Sequence, residues 1–139
     1  MKILAATDGS NCSERAIKFA SKLASESKSK ITITYVVPEL PLAKEEFVKF
    51  LKKQLGNGKG AGNRYLERGR KIGEKLGVKT ETKLLEGNPA EEILKEAERG
   101  RYDLIVVGSY GKGGVNKFLL GSVSSKLVHL SKIPVLVVK

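Results

Sequence analysis

Five short segments with strand character recur along the chain, and longer amphipathic stretches separate them. Four of them, residues 3–6, 31–37, 103–107 and 133–138, are mainly apolar, and a more polar one fits residues 78–85. Apolar residues in the stretches between them recur at helical spacing. Strands that alternate with helices in this way form a parallel sheet with helices on both faces. The sequence therefore predicts an open α/β fold with a five-stranded parallel sheet.

The length of the chain, without a visible linker or internal repeat, indicates a single domain over residues 1–139. One cysteine, Cys12, excludes an internal disulfide framework. No apolar run is long enough to cross a membrane, and no signal peptide pattern is visible. We therefore expect a cytoplasmic protein that does not enter a membrane.

Capping residues mark the starts of two predicted helices, and glycines mark a break in a third helical region. Ser10 or Asn11 offers a capping oxygen to the first helix, and Asn88 caps a helix that starts with Pro89. Residues 39–76 have a helical pattern in two parts. The apolar residues of these parts are Phe47, Leu51 and Leu55, then Tyr65, Ile72 and Leu76. Four glycines at residues 56–62 separate them, and because glycine weakens a helix interior we interpret this segment as a loop or hinge.

The chain carries 26 Lys and Arg against 15 Asp and Glu, which gives a net charge of +11. Residues 38–75 and residues 108–139 each contribute +5, and the second of these segments contains no carboxylate. Such an excess fits nucleic acid, an anionic small molecule or a solvated lysine-rich surface. The charge alone does not choose among them.

Two loops follow strand ends at the edge where open parallel sheets bind ligands, residues 6–10 and residues 108–114. Glycines let a backbone approach an anion closely, and a helix that begins at Gly121 offers its N–H groups to a phosphate. Further donors and charges are Ser122, Ser124, Ser125, Lys112 and Lys117. The 14 residues from Gly108 to Gly121 exceed the usual connection of about 2–6 residues. The sequence therefore predicts a phosphate-binding loop.

Gly108-x-x-Gly111, nine intervening residues and Gly121-Ser122 together resemble the ATP-binding signature of the universal stress protein family. The resemblance covers essentially the whole chain, including residues 5–10, 87–90 and 134–138. It implies a Rossmann-like sheet of the adenine nucleotide alpha hydrolase type, with strand order 3-2-1-4-5. It also implies ATP, with Mg²⁺, as the ligand and a homodimer that forms by pairing residues 134–138 of two subunits.

The resemblance assigns binding roles to particular residues. Thr7 and Asp8 would line the nucleotide pocket after the first strand, and Val36 would contact adenine through its backbone. The positions that would hold ribose and phosphates are Gly108, Gly111, Gly121, Ser122, Val123 and Ser124. Ser109 and Tyr110 complete the predicted binding set, Tyr110 through a ring contact. Two interpretations of Asp8 stay open: a ligand of Mg²⁺ or of a ribose hydroxyl, and a cap of the turn beside Gly9.

These features predict an ATP-binding regulatory or stress-response protein, whose protein partner the sequence does not identify. The second hypothesis is an ATPase or phosphotransferase. Hydrolysis is expected to be slow, because no general base or water-orienting residue is arranged for it and no residue is predicted to be catalytic. A nucleic-acid module is less favoured, because the 4 Phe and 4 Tyr form no stacking cluster and Trp is absent.

Overall fold

The computed structural model describes residues 1–39, 49, 59–111 and 120–139. Its strands are β1 (Lys2–Ala6), β2 (Lys30–Pro38), β3 (Thr80–Gly87), β4 (Leu104–Gly108) and β5 (Val135–Val138). The helices that lie within the described ranges are α1 (Asn11–Ser27), α2 (Lys59–Lys75), α3 (Pro89–Arg99) and α4 (Ser122–Leu130).

The five strands form one sheet in the order β3-β2-β1-β4-β5, and all neighbouring strands are parallel. This confirms the predicted α/β fold and its strand order. β1 is central, with Ala5 opposite Ile33 of β2 and Val106 of β4. The chain builds outward from β1 first on one side and then on the other, so the strand order reverses between β1 and β4. Open α/β sheets bind ligands beyond the carboxyl ends of the strands at such a reversal.

Two apolar cores lie on opposite faces of the sheet, because successive side chains of a strand point to opposite faces. α1 and α2 cover the face that carries Ile3 and Ala5. α3 and α4 cover the face that carries Leu4 and Ile105. All four of these strand residues have no exposed surface, which explains why the central strands are apolar on both faces.

The predicted caps of α1 and α3 are confirmed. Ser10, rather than Asn11, caps α1, because its Oγ accepts the N–H of Ser13 at 3.1 Å. Asn88 caps α3 through a hydrogen bond from the N–H of Glu91 to Oδ1, 3.2 Å long. Both caps lie at the carboxyl edge of the sheet, so they fix where these two helices begin beside it.

Helix α2 corrects the interpretation of the glycine-rich segment. Residues 59–62 form the first turn of α2 rather than a loop, whereas residues 56–58 lie outside the described residues. A Cβ at Gly62 or Gly69 would overlap side chains of β2, and one at Gly73 would overlap a side chain of β3. The glycines therefore let α2 lie close to the sheet, and this packing offsets their low helix propensity.

The apolar residues predicted for this helical part are only partly those that α2 packs against the core, where Ile72 does contribute. Leu66 is the large apolar side chain that this helix buries, at 4% exposure, and it lies between the buried glycines. Tyr65 and Ile72 are half-buried, and Leu76 follows the end of the helix and is 46% exposed. The prediction was incomplete because it followed large side chains, whereas glycine supplies three of the four buried residues of this helix.

The predicted strand ends differ from the observed ones by one or two residues. β3 begins at Thr80 rather than Val78, Pro38 is the last residue of β2, and β5 begins at Val135. The predicted helix at residues 47–55 lies outside the described residues, apart from Lys49. Within the described ranges, no helix has the length and apolar character that crossing a membrane requires.

Candidate functional site

A cavity of about 550 Å³ opens at the carboxyl ends of β1, β2 and β4, beside the first turns of α3 and α4. Ten of the eleven residues predicted to bind a ligand line it, namely Thr7, Asp8, Val36, Gly108, Tyr110, Gly111, Gly121, Ser122, Val123 and Ser124. The other described residues that line it are Ala6, Ser13, Tyr35, Pro38, Pro89, Ile93 and Val107. The fold therefore brings the β1–α1 turn and the N-terminus of α4 to one cavity.

The turn between β1 and α1 is held by hydrogen bonds within itself and to β2. The N–H of Thr7 donates to the Thr34 carbonyl at 2.9 Å, and the N–H of Gly9 donates to Thr7 Oγ1 at 3.1 Å. Ser13 Oγ lies 3.1 Å from Thr7 Oγ1 and donates to the Ser10 carbonyl at 3.0 Å. This side of the cavity is therefore set by the protein before any ligand arrives.

The two interpretations of Asp8 concern its two carboxylate oxygens. Oδ1 accepts the N–H of Ser10 at 2.9 Å, which is the turn-capping role. A Cβ at Gly111 would meet Oδ2, so this oxygen lies against the loop that follows β4. Asp8 is the only carboxylate among the described residues that line the cavity. The cap therefore accounts for Oδ1, and Oδ2 lies between the two loops.

The N-terminus of α4 borders the cavity without a side chain that caps it. Gly121 is the N-cap residue, and its own N–H donates to the Ser109 carbonyl at 2.6 Å. The following N–H groups, of Ser122, Val123 and Ser124, have no acceptor within the helix, because an α-helix leaves its first amides unpaired. These amides and the positive end of the helix dipole favour an anion.

The hydroxyl of Ser124 is directed to the backbone. Its Oγ lies 2.9 Å from the Ser109 carbonyl and 3.1 Å from the Gly121 carbonyl, and the residue is 2% exposed. A hydroxyl has one proton to donate, so the predicted hydrogen bond from this group to a phosphate does not fit the geometry. Ser122, in contrast, is exposed at the start of the helix.

Ser109 is the one predicted residue that the structure places behind the cavity rather than in its wall. It is buried, and its N–H donates to the Val138 carbonyl at 2.9 Å. Its Oγ lies 3.5 Å from Cys12 Sγ. Burial alone would raise the pKa of the Cys12 thiol, but hydrogen bonds from the Tyr110 backbone and Ser109, with the charge of Arg15, hold it below its usual value. Ser109 therefore links the loop to β5 and α1.

The signature glycines bring the walls of the cavity close together. A Cβ at Gly108 would lie 3.0 Å from the backbone carbonyl carbon of Cys12. A Cβ at Gly121 would lie 3.2 Å from the Cα of Tyr110. Both distances are too short for ordinary packing, so a side chain at either position would displace α1 or the N-terminus of α4.

The remaining wall of the cavity is apolar. Val36 and Pro38 end β2, and Pro89 and Ile93 belong to the first turns of α3. The sequence analysis gave Pro89 only the role of a helix start and gave Pro38 and Ile93 no role in ligand binding, so it missed this wall of the cavity. Their positions at the end of β2 and the start of α3 could have indicated it, because both ends lie at the same edge of the sheet.

One wall of this cavity is apolar and another presents unpaired amides, which suits a ligand with a flat apolar group and an anionic group. Residues 108–139 contain five lysines and no carboxylate, so the charge at the α4 side also favours an anion. Two of these lysines, Lys112 and Lys117, lie outside the described residues. In the described part of the chain, no three His, Cys, Asp or Glu side chains cluster as ligands of a metal ion.

Comparison with known proteins gives consistent matches over the whole chain. The family model described as "Universal stress protein family" matches residues 1–139. Universal stress protein MJ0531 of Methanocaldococcus jannaschii is 40% identical over 141 residues, which cover 99% of this chain and 81% of that protein. This alignment includes both loops that border the cavity.

Two solved structures extend the similarity to the fold. The structure of MJ0577 from Methanocaldococcus jannaschii, solved as a structure-based assignment of biochemical function, has a TM-score of 0.83 at 34% identity. It covers 99% of this chain and 94% of that one. A universal stress protein in complex with cAMP has a TM-score of 0.76 at 28% identity, and covers 100% of this chain and 97% of that one.

Proposed function

The chain belongs to the universal stress protein family, and from this membership and its cavity we propose that it is a nucleotide-dependent regulatory protein that binds ATP. The observation that carries the proposal is the division of the cavity into an apolar wall and an uncapped helix N-terminus. An adenine nucleotide has the same division, with a flat base at one end and phosphates at the other. The similar protein in complex with cAMP supports adenine nucleotides as the ligand class.

The cavity residues suggest how the nucleotide is held. The base packs against Val36, Pro38 and Ile93, where the backbone at the end of β2 supplies polar atoms to its edge. The phosphates lie at the N-terminus of α4, where amides at Ser122 and Val123 donate to them. A cavity of about 550 Å³ lies within the usual size range of small-molecule sites, roughly 300–1,000 Å³.

Mg²⁺ fits this site only in combination with phosphate. Proteins usually bind Mg²⁺ through one or two carboxylates, with substrate phosphates and water completing the shell. Asp8 is the carboxylate that the described lining residues offer, and its Oδ2 lies against Gly111. A metal ion at this oxygen would remove the repulsion between the carboxylate and the phosphates. We therefore assign Asp8 as the protein ligand of a nucleotide-bound Mg²⁺.

In this proposal the protein acts through the binding of the nucleotide rather than through its hydrolysis. Phosphoryl-transfer enzymes place a base or a water-orienting residue beside the phosphate. The described lining residues include no histidine, lysine or arginine, and their one carboxylate, that of Asp8, is already bonded to the turn. ATP hydrolysis is therefore expected to be slow. A protein partner would recognise the surface around Gly111 and the N-terminus of α4, which the bound nucleotide alters.

A homodimer through β5 is part of the proposal. β5 is an edge strand, and its residues Val135–Val138 are only half-buried. The helices that pack beside it expose large apolar side chains, Phe19 on α1 at 49%, and Val128 and Leu130 on α4 at 46% and 64%. An apolar edge of this kind pairs readily with another chain. A second copy would cover both the strand and these side chains.

Isothermal titration with ATP and Mg²⁺ tests the binding proposal. We expect saturable binding of ATP and weaker binding of GTP. The reason is that the base contacts the apolar wall and the polar backbone atoms at the end of β2, and the two bases differ at their edges. Mass spectrometry of protein purified without added nucleotide identifies a ligand that stays bound. The absence of any heat at millimolar ATP would contradict the proposal.

Sedimentation velocity tests the dimer. Val128→Glu with Leu130→Glu places charges beside β5, and we expect this variant to be monomeric. Leu76→Glu is the control for one added charge, because Leu76 has the same exposed fraction as Val128, 46%, but follows the helix that packs against β2 and β3 rather than β5. A wild-type protein that sediments as a monomer, or a double variant that remains dimeric, would contradict pairing through this edge.

A further inference from the structure

Helix α2 carries a row of exposed cations. Arg64, Arg68, Lys71 and Lys75 follow one another at intervals of four, three and four residues, a spacing that places them on one face of an α-helix. All four are exposed, and none forms an ion pair with a residue that the structure describes. We call these four residues the α2 row, and it extends over roughly 16 Å of the helix axis.

The acidic side chains of α2 form their ion pairs off this row. Glu67 and Glu74 both pair with Arg70, at 2.5 and 2.6 Å between guanidinium nitrogens and carboxylate oxygens. The hydrogen bond from Arg70 lowers the pKa of Glu67, although the charge of Lys71 also helps to lower it, and both carboxylates raise the pKa of Arg70. Arg70 lies off the row, so the pairs balance charge on the flank of the helix and leave the four cations in excess.

The middle of the row is held in position by aromatic packing. The guanidinium carbon of Arg68 lies 5.6 Å from the centroid of the Tyr65 ring, a cation–π distance. The Tyr65 ring packs edge-on against Tyr35 at 5.5 Å, and a Cβ at Gly9 would overlap it. A positioned guanidinium loses less entropy when it binds an anion than a mobile one does.

The charge differs between the two faces of the sheet. α2 has six basic and two acidic side chains, and its neighbour α1 has three basic and two acidic. α3, on the opposite face, has two basic and four acidic side chains. α4, which shares that face, adds one lysine and no acidic side chain. Among the four described helices, the positive charge is therefore concentrated on α1 and α2.

We propose that the α2 row binds the phosphate backbone of double-stranded nucleic acid without reading its sequence. A basic stripe along a helix, in a chain with a net charge of +11, is the electrostatic footprint of such binding. A duplex carries one charge per ~1.7 Å of its axis when both strands are counted, so the length of the row spans about five phosphates on each strand. Contacts from Lys and Arg to phosphates position a protein on a duplex but do not specify bases.

Other polyanionic surfaces fit the row less well. The residues Lys59–Lys75 include no exposed large apolar side chain, whereas helices that bind membrane surfaces insert such side chains and protein interfaces bury them. The lack of an aromatic cluster, which made nucleic acid the less favoured partner in the sequence, argues against single strands. Phosphate contacts to a duplex do not need stacking aromatics.

Fluorescence anisotropy with the full chain and a labelled duplex of mixed sequence, about 20 base pairs long, tests the proposal. Four phosphate contacts predict that log Kobs falls with log salt with a slope of about −3.6. The variant Arg64→Gln/Arg68→Gln/Lys71→Gln/Lys75→Gln is expected to lose about tenfold or more in affinity at low salt and most of this slope.

A control variant carries the same loss of charge elsewhere. Lys28, Lys30, Lys79 and Arg101 are exposed and lie near the amino ends of the strands, and their combined change to Gln should leave the slope almost intact. Equal losses in the two variants would overturn the proposal, as would equally tight binding of anionic vesicles or polyglutamate. If the row variant does not fold, Lys71→Gln and Lys75→Gln alone should each reduce the slope by about 1.

The nucleotide cavity provides a further control, because the proposal does not depend on it. Gly121→Asp alters the cavity and leaves α2 unchanged, so this variant should bind the duplex as the wild type does. Loss of duplex binding in Gly121→Asp would show that the oligonucleotide occupies the cavity and would overturn the assignment to α2. Failure of ATP binding alone leaves the result for α2 standing.

Discussion

Helices α1 and α4 both begin beside the cavity, but their first turns are closed in different ways. α1 has a side-chain cap, Ser10, and an acidic residue, Glu14, in its first turn. α4 begins at Gly121, has no side-chain cap and has no acidic residue in its first turn. The first turn of α4 therefore favours an anion and that of α1 does not, although both helices point the positive end of their dipole towards the same edge of the sheet.

This difference shows that a helix N-terminus becomes an anion site only when its amides remain available. At α1, Oδ1 of Asp8 accepts the N–H of Ser10, and Ser10 Oγ accepts that of Ser13. At α4, the N–H of Gly121 is taken by the Ser109 carbonyl, and the following amides face the cavity. This difference supports the proposal that the phosphates lie at the α4 side and Mg²⁺ at the α1 side.

The largest expected effect comes from a carboxylate at the cap of α4. Gly121→Asp would cap the helix with its own side chain and repel phosphates at close range. We expect ATP affinity to fall by about 100-fold or more, which corresponds to the loss of roughly 3 kcal/mol of charge-assisted hydrogen bonding. Titration calorimetry measures the affinity, and thermal unfolding verifies that the variant is folded.

The matched control places the same charge at the other helix. Ser10→Asp keeps a capping oxygen on α1, so ATP affinity should change by less than about threefold. Comparable losses in Ser10→Asp and Gly121→Asp would mean that the two N-termini are equivalent, and the comparison between α1 and α4 would fail.

A smaller loss is expected where the two loops meet. In Gly111→Ala, the added Cβ would collide with Asp8 Oδ2, so either the Asp8 carboxylate turns away and strains its hydrogen bond to Ser10, or the loop after β4 shifts away from the β1–α1 turn. We expect ATP affinity to fall about tenfold, since such a displacement costs on the order of 1–3 kcal/mol. Gly60→Ala is the control, because a Cβ there would have only the Arg64 guanidinium nearby, at 3.8 Å. An unchanged affinity in Gly111→Ala would show that contact between the loops does not shape the site.

The sequence predicted the fold and the cluster of site residues because both depend on local patterns. Apolar runs mark β1 and β4, and glycine spacing marks the loops after them, so the carboxyl edge of the sheet could be located without coordinates. The same approach failed at α2, whose buried face depends on how closely Gly62 and Gly69 approach the sheet. Such an approach involves side chains from β2, and no pattern within the helix encodes it.

The hydrogen-bond partners of individual polar side chains could not be predicted from the sequence either. Ser109 and Ser124 have the hydroxyls that a phosphate site needs, but one lies behind the loop and the other faces two carbonyls. Which acceptor a hydroxyl meets depends on a rotamer and on neighbours that are distant in the chain. The α2 row was visible in the sequence only as a charge excess, because helical spacing does not show that these four side chains are exposed or that Arg70 takes both glutamates.

Asp8→Asn sharpens the assignment of the metal to the α1 side, with a smaller effect. Asparagine keeps an acceptor for the N–H of Ser10 but loses the charge that holds Mg²⁺. We expect ATP affinity to fall by about fivefold when Mg²⁺ is present and to rise slightly in EDTA, because the repulsion between carboxylate and phosphate disappears. The two titrations are compared in one buffer. The same fall with and without Mg²⁺ would assign Asp8 to the turn alone.

The smallest effect on binding is expected from Ser10→Ala, which removes the cap of α1 without adding a charge. The N–H of Ser13 then loses its acceptor, so the protein should be less stable by about 1 kcal/mol in urea unfolding. ATP affinity should stay within about twofold of the wild type, because the amides of α1 are enclosed in the turn and do not reach the phosphates. Ser10→Thr, which keeps a capping oxygen, should restore most of the stability. A clear rise in ATP affinity in Ser10→Ala would show that uncapping α1 creates a second phosphate site, and the difference between the two helices would then follow from the caps alone.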